Sequence, residues 1–337
     1  MTPPTGRTLN REPQPPIGVI AALVGGFETV NKSLVLALLP LLLDLFFWLG
    51  PQLSIKPLLD DTAQQLAQVA AEAPEGSLAA QIAGQWSAID VQADQFNLFW
   101  LLSTAPLGVP STMARRIAET AGAHGLGVWG VSNGLLYLGL LAVFNVIGVF
   151  AGAVYFECIA QQVREGSISI GQLLRRVWID WLQMIALALA GLIVILVLGV
   201  PALALTMVLT ALNAILGSAA LALAFSVLFW LLVFGIFALH GITLGRRNLF
   251  VSLWESIRLV QMNLAPTIGL VTVVMLLYFG LGSVWALAPT DSWINVIGIA
   301  GHAVVSTALV AATFVYYQDR MRWWQELRSG RAARLRA

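Results

Sequence analysis

Asp44 and His302 are the two side chains in this sequence that could bind and release a proton from inside long apolar runs. Asp44 interrupts "LLPLLLDLFFWLGP" at Leu38–Pro51, and His302 lies in the run Ile294–Tyr317. Asp44 precedes Gly50 by six residues and His302 follows Ile294 by eight. At the rise of an α-helix this sets them about 9 and 12 Å from the same end of two helices. Ionisable groups at such depth face a bundle interior or a cavity and find a partner there. An Asp–His pair is a polar contact between helices, a proton-linked site or a ligand contact, and Asp44 and His302 are the candidate substrate-binding residues. No residue is identified as catalytic.

Other chemistries lack their residues. Metal-assisted hydrolysis needs clustered ligands, but His124, His240 and His302 are scattered and no H-E-x-x-H occurs. The single cysteine, Cys158, allows neither an internal disulfide nor a thiolate zinc cluster. "GAHGLGVWG" at Gly122–Gly130 has the glycines of a nucleotide loop but no strand before it, and fits a flexible entry to a helix. No cofactor or metal is expected. Glu157 and His240 fall near the ends of apolar runs, within reach of the interface or Arg246, in structural roles. Asn133, Asn145 and Asn213 are interhelical hydrogen-bond candidates, and Gly130/Gly134, Gly148/Gly152 and Gly241/Gly245 have the small-xxx-small spacing of closely approaching helices.

The elements that must position these groups are membrane helices. Of 337 residues, 58% are hydrophobic and 10% charged, against about 25% charged in soluble domains. A helix crosses the hydrocarbon core in about 20 apolar residues. Asn31–Gly50, Val128–Phe156, Pro266–Ala288 and Ile294–Tyr317 qualify, and an uncharged run from Trp181 to Thr243 lies between the second and third of these. Pro201 and "NAILGS" at Asn213–Ser218 are its natural breaks. Basic residues favour cytoplasmic loops. With two spans in the long run, every Lys and Arg except Lys56, Arg115 and Arg116 is cytoplasmic; with three, the Arg246/Arg247 loop would lie outside. The expectation is an all-α, polytopic membrane helical bundle of six transmembrane helices with both termini cytoplasmic. Pro201–Leu212 is an extension of span three or a short re-entrant piece. Trp230, inside span four, should pack against neighbouring helices.

Residues 1–16 form a proline-rich tail expected to be disordered, leading into an uncleaved anchor rather than a removable signal. Residues 17–50 hold an interfacial helix and span one. Residues 51–127 form an acidic, helical extracytoplasmic cap, with helices expected in "KPLLDDTAQQLAQVAAEA" and at Leu78–Ile89 around a break at Pro74–Gly76. "FNLFWLLSTAPLGVPS" at Phe96–Ser111 is too proline-broken to span and suits an interfacial segment or a lid. Residues 128–318 carry spans two to six with cytoplasmic elbow helices, and 319–337 form a basic cytoplasmic tail. Amphipathic stretches precede spans one, three and five, which suggests a threefold repeat of elbow helix plus hairpin. The basic elbows and tail should contact anionic lipid. They could also dock a membrane-protein or cytosolic partner. The acidic cap and membrane body argue against nucleic-acid binding.

The motifs "LLPLLLDLFFWLGPQLS", "LLSTAPLGVPS" and "FVYYQDRMRWWQE" resemble an uncharacterised family of bacterial six-span integral membrane proteins, which implies the bacterial cytoplasmic (inner) membrane and no known activity. The elbow-plus-hairpin pattern is similar to the membrane domain of glycerophosphoryl diester phosphodiesterases, without their catalytic domain. The layout also resembles rhomboid intramembrane proteases, with Ser218 and His302 in comparable places. The text "ILGSAA" departs from the rhomboid G-x-S-G motif, and the second-span His/Asn stabilisers are missing. The leading expectation is a non-enzymatic, transport-related or envelope-assembly membrane component. The alternatives are a proton-coupled secondary carrier using Asp44 and His302, and an intramembrane or lipid-modifying enzyme.

Overall fold

The computed structural model describes residues 15–71, 96–104, 107–116 and 127–334. The expected tail up to residue 14, the break at Pro74–Gly76, the helix at Leu78–Ile89 and His124 lie outside these residues. The described chain is all-α apart from two three-residue strands. Five of its helices are long and apolar enough to cross a membrane, and a bent helix pair passes the same test together. The protein is a multi-pass helical membrane protein.

The bent pair is the expected first elbow and span. α1 (Val19–Lys32) ends at Ser33, whose extended backbone turns the chain by 96° before a 3-10 turn (Leu34–Ala37) and α2 (Leu38–Leu49). α1 offers a small-residue face to the last helix, α11 (Asn295–Arg334), and leaves its other face, with Lys32, exposed. A Cβ on Gly26 would stand 2.7 Å from Ala312 Cα, and one on Gly25 would stand 3.1 Å from Val315. Bare glycines thus bring the helices close. Ile17 N–H donates to Asp319 (2.9 Å) and Arg320 Nη1 donates to Ile17 carbonyl (3.0 Å). Arg320 is therefore buried over the Tyr316 ring, and the first residues of the expected tail belong to the packed fold.

After α2, β1 (Gln52–Ser54) pairs in parallel with β2 (Val128–Gly130), Leu53 opposite Trp129, and ties the two ends of the 51–127 region. α3 (Lys56–Ala71) is the first expected cap helix. α4 (Gly134–Glu165) starts at Asn133, whose side chain accepts from Leu135 and Leu136 N–H, and ends at Gly166 with φ 73°. This is the left-handed stop that glycine takes without strain.

α5 (Ile170–Val194) passes through a π-turn (Ile195–Gly199) into α6 (Val200–Leu212) without a break. Pro201 follows closely on the π-turn, the local widening at which the helix absorbs its missing N–H, and the helix runs on through it, so Pro201–Leu212 extends span three. The expected middle elbow is not a separate helix, because no Gly, Pro or Asn interrupts Gln172–Met184. The break comes at Asn213, which caps α7 (Ala214–Gly235) by accepting from Ile215 N–H. Asn133 and Asn213 thus cap helices rather than bridge them, and Asn145 donates to Leu141 carbonyl in its own helix. Trp230 is half-exposed and meets the rings of Phe229 and Phe234 on its own helix. α8 (Ala238–Thr243), the separate elbow α9 (Leu249–Met262) and α10 (Leu264–Trp285) complete the order. The main core joins Tyr155, Phe156 and Ile159 of α4, Met184 of α5 and Phe314 and Tyr317 of α11.

Candidate functional site

The described residues between Asn97 and Arg116 pack into the protein, with Trp100 left exposed. The segment begins as a 3-10 turn (Leu98–Ser103) whose N-cap, Asn97, accepts from both Phe99 N–H and Leu53 N–H. It then packs against α4 where that helix has no side chains. A Cβ on Gly148 would stand 2.6 Å from Leu101 carbonyl, and one on Gly152 would collide with Leu107 carbonyl. The Gly148/Gly152 pair therefore admits a loop rather than a second helix. Gly152 lies eighteen residues into α4, roughly 27 Å along it, so the loop descends far down the span. Irregular backbone survives at such depth only where protein satisfies it. Ser103 hydroxyl donates to Val109 carbonyl (2.8 Å), and Gly108 N–H donates to Thr104 carbonyl (2.6 Å).

Asp44 anchors the returning arm of this loop. The carboxylate is fully buried; one oxygen accepts from Ser111 hydroxyl and Met113 N–H (3.0 Å), the other from Thr112 N–H (3.2 Å). It caps the 3-10 turn Met113–Arg115 from another helix, since Thr112, the turn's own cap residue, makes no side-chain bond. Charge-assisted bonds of this kind are the strong ones. Ser111 hydroxyl also accepts from Ala114 N–H (2.9 Å). Arg116, buried beyond the turn, donates to Asn295 Oδ1 (3.2 Å) and Ala288 carbonyl (2.9 Å) and ties the loop to α10 and α11. Loop, α2 and α11 close around Phe47, Trp48, Met113 and Ile299.

His302 is buried on α11, one turn beyond Ile299, with its ring 5.4 Å from that of Tyr278 on α10. The described partners of Asp44 are thus Ser111, Thr112 and Met113, and that of His302 is Tyr278. Ser218 is exposed and donates to Ile215 carbonyl in its own helix; it does not meet His302. His240 does not reach the interface or Arg246: Nε2 lies 2.8 Å from Thr313 Oγ1, and the ring packs on Phe237, Phe314 and Tyr317. Among the described residues no three His, Cys, Asp or Glu side chains gather as metal ligands.

The other end of the bundle holds a second polar cluster. Glu157 and Asp180 are both fully buried and stand near each other. Arg176 pairs with Asp180 (2.9 Å), while Gln161 donates to Glu157 (3.1 Å) and Arg164 approaches it at 3.7 Å. Asp180 was not among the candidates in the sequence, because an Arg–Asp pair four apart resembles an ordinary solvated helix face. Nearby, Glu255 of α9, outside the long apolar helices, has its carboxyl pushed above the usual range by burial, partly offset by Arg247 and Arg328.

Buried polar anchors and a stretch of irregular backbone packed against apolar helices belong here to a multi-pass helical membrane protein. Comparison of the chain with protein-family models, characterised proteins and solved structures finds no match.

Proposed function

We propose that this chain is a six-span protein of the bacterial cytoplasmic membrane, with both termini cytoplasmic and residues 51–127 outside, that acts as a non-enzymatic, transport-related or envelope-assembly component alongside a membrane partner. The observation that carries this reading is the hairpin of α5–α6 and α7. Its most apolar stretch in Ile170–Leu212 has no buried residue, and the exposed side chains include Leu192, Val197, Leu203, Met207, Leu223 and Phe229. Its outer part, α6 and α7, is apolar all round and in contact chiefly with itself, a surface for lipid and for the helices of another membrane protein. The test is purification in mild detergent from a native membrane. A stoichiometric partner supports the reading; a monomer without a partner, also inactive for solute flux in liposomes, overturns it.

A second reading, a proton-coupled carrier using Asp44 and His302, is favoured by one feature. Carriers build midplane sites from broken helices and irregular backbone, and here the bent α1–α2 span and the 97–116 loop meet at Asp44. Proton-driven uptake in liposomes tests it: flux that survives His302→Gln at every pH sinks it.

A further inference from the structure

At the arginine-rich end of the bundle a cavity of about 140 Å³ lies between the end of α4, the α8–α9 loop, α9 and α11, lined by Arg164, Arg247, Glu255, Tyr317, Gln318 and Arg322 among others. Its walls carry polar atoms that the protein leaves without a hydrogen bond. Tyr317 is 2% exposed, and its hydroxyl has no partner. Arg164 spends Nε on Glu165 (3.0 Å) and Nη1 on Leu244 carbonyl (3.3 Å), but its buried Nη2 has no hydrogen bond and only the 3.7 Å approach to Glu157. Arg322 is exposed on the lining, and no described hydrogen bond or ion pair engages it. On the acceptor side Glu255 Oε2 is also unpartnered, while its other oxygen stands 3.7 Å from Arg247 Nε. Of the three guanidinium groups in the lining, Arg164 already meets Glu165 and Glu157 and Arg247 meets Glu255, which leaves Arg322 without a described carboxylate beside the buried phenol of Tyr317.

Buried donors left unmade are costly, and each needs an explanation in an otherwise satisfied interior. Convergent donors with one guanidinium that no described carboxylate meets, between helices and near the level of headgroups, match a tetrahedral oxyanion. We propose that this cavity binds a phosphate ester, the group shared by a phospholipid headgroup and a soluble phosphorylated metabolite. Its oxygens accept from Tyr317 hydroxyl, Arg164 Nη2 and Arg322, with Arg247 offsetting Glu255. The site does not depend on whether the chain works with a partner.

The test uses the full chain in detergent with three probes: dioctanoyl phosphatidic acid, dioctanoylglycerol and glycerol 3-phosphate. Binding is read by native mass spectrometry and by the shift in Tm. The expected result is binding of phosphatidic acid but not of dioctanoylglycerol. Tyr317→Phe and Arg322→Gln should each weaken it about tenfold, the loss of one charge-assisted hydrogen bond. Ligand-free Tyr317→Phe should match or exceed the wild-type Tm, because it deletes a hydroxyl that nothing in the protein holds. Binding of glycerol 3-phosphate as well identifies a soluble ester as sufficient; binding of the lipid alone identifies a membrane source. The proposal is overturned if neither phosphate probe binds, if dioctanoylglycerol binds equally well, or if both variants bind like wild type.

Discussion

At the residue scale, Asp44 is a carboxylate whose two oxygens both accept. Ser111 hydroxyl and Met113 N–H reach one, and Thr112 N–H reaches the other. An amide cannot replace it, because one of its two ends would aim a donor at a donor. Asp44→Asn should therefore lower Tm in detergent, and Asp44→Ala should cost roughly 3 kcal/mol by leaving buried N–H groups unmade. A wild-type Tm in Asp44→Asn would refute the anchor role. Glu255 behaves oppositely with respect to charge. Burial raises its carboxyl above the ordinary value, opposed by Arg247 before α9 and Arg328 on α11, with Tyr317 also facing it. A raised value in the folded state means the folded protein holds this proton more tightly than the unfolded chain. The stabilisation is complete below the ordinary carboxylate value and is lost as pH rises through the raised one. Thermal scans across that window should show Tm falling with pH, and Glu255→Gln should flatten the slope.

Among the elements, the 97–116 loop depends on two glycines that the sequence displays without their purpose. Small-xxx-small spacing announces a close approach, but Gly148 and Gly152 receive Leu101, Thr104 and Leu107 of a loop. That loop resembles an interfacial segment because its prolines and short apolar run are the same whether it lies on lipid or inside protein. What decides is the bare face of α4 and the carboxylate of α2, both remote in sequence. Matching helix depth brings Asp44 and His302 together on side-chain identity alone, and it is blind to the backbone N–H groups that Asp44 holds. The donors that Asp44 holds include backbone N–H groups, which every residue has. By contrast, the α6–α7 break at Asn213 and the bend before α2 are local events, and both were legible. Gly152→Ala should push a Cβ into Leu107 and lower Tm, at about 1–3 kcal/mol for overpacking. Gly139 of the same helix has nothing within 4 Å of a new Cβ, so Gly139→Ala should be neutral or stabilising. Equal effects of the two substitutions would remove the loop from its place on α4.

The whole molecule combines a tightly tied half with a long arm. α1, α2, the loop and α11 are locked by Asp44, Arg116, Asp319 and Arg320, and α4 receives the loop at Gly148 and Gly152. The α5–α6 helix runs 43 residues from Ile170 to Leu212, roughly 65 Å. Its uncharged part from Trp181 onward is still about 48 Å long, against a hydrocarbon core of about 30 Å. Lipid alone would cover that length only at a tilt near 50°, beyond the range of about 0–40° seen for membrane helices. The membrane partner proposed above, packed along the arm, would shield the excess without such a tilt. Lipid and a packed helix differ in what they tolerate. Fluid chains accommodate a bulky apolar side chain, whereas a close helix interface does not. Ala204 and Ala219 are exposed on the two helices of the arm. Ala204→Trp with Ala219→Trp should therefore abolish recovery of the partner in mild detergent while leaving the Tm of the isolated chain unchanged. Undiminished recovery of the same partner would show that it docks elsewhere, and a fall in Tm would show that the arm is part of the packed core.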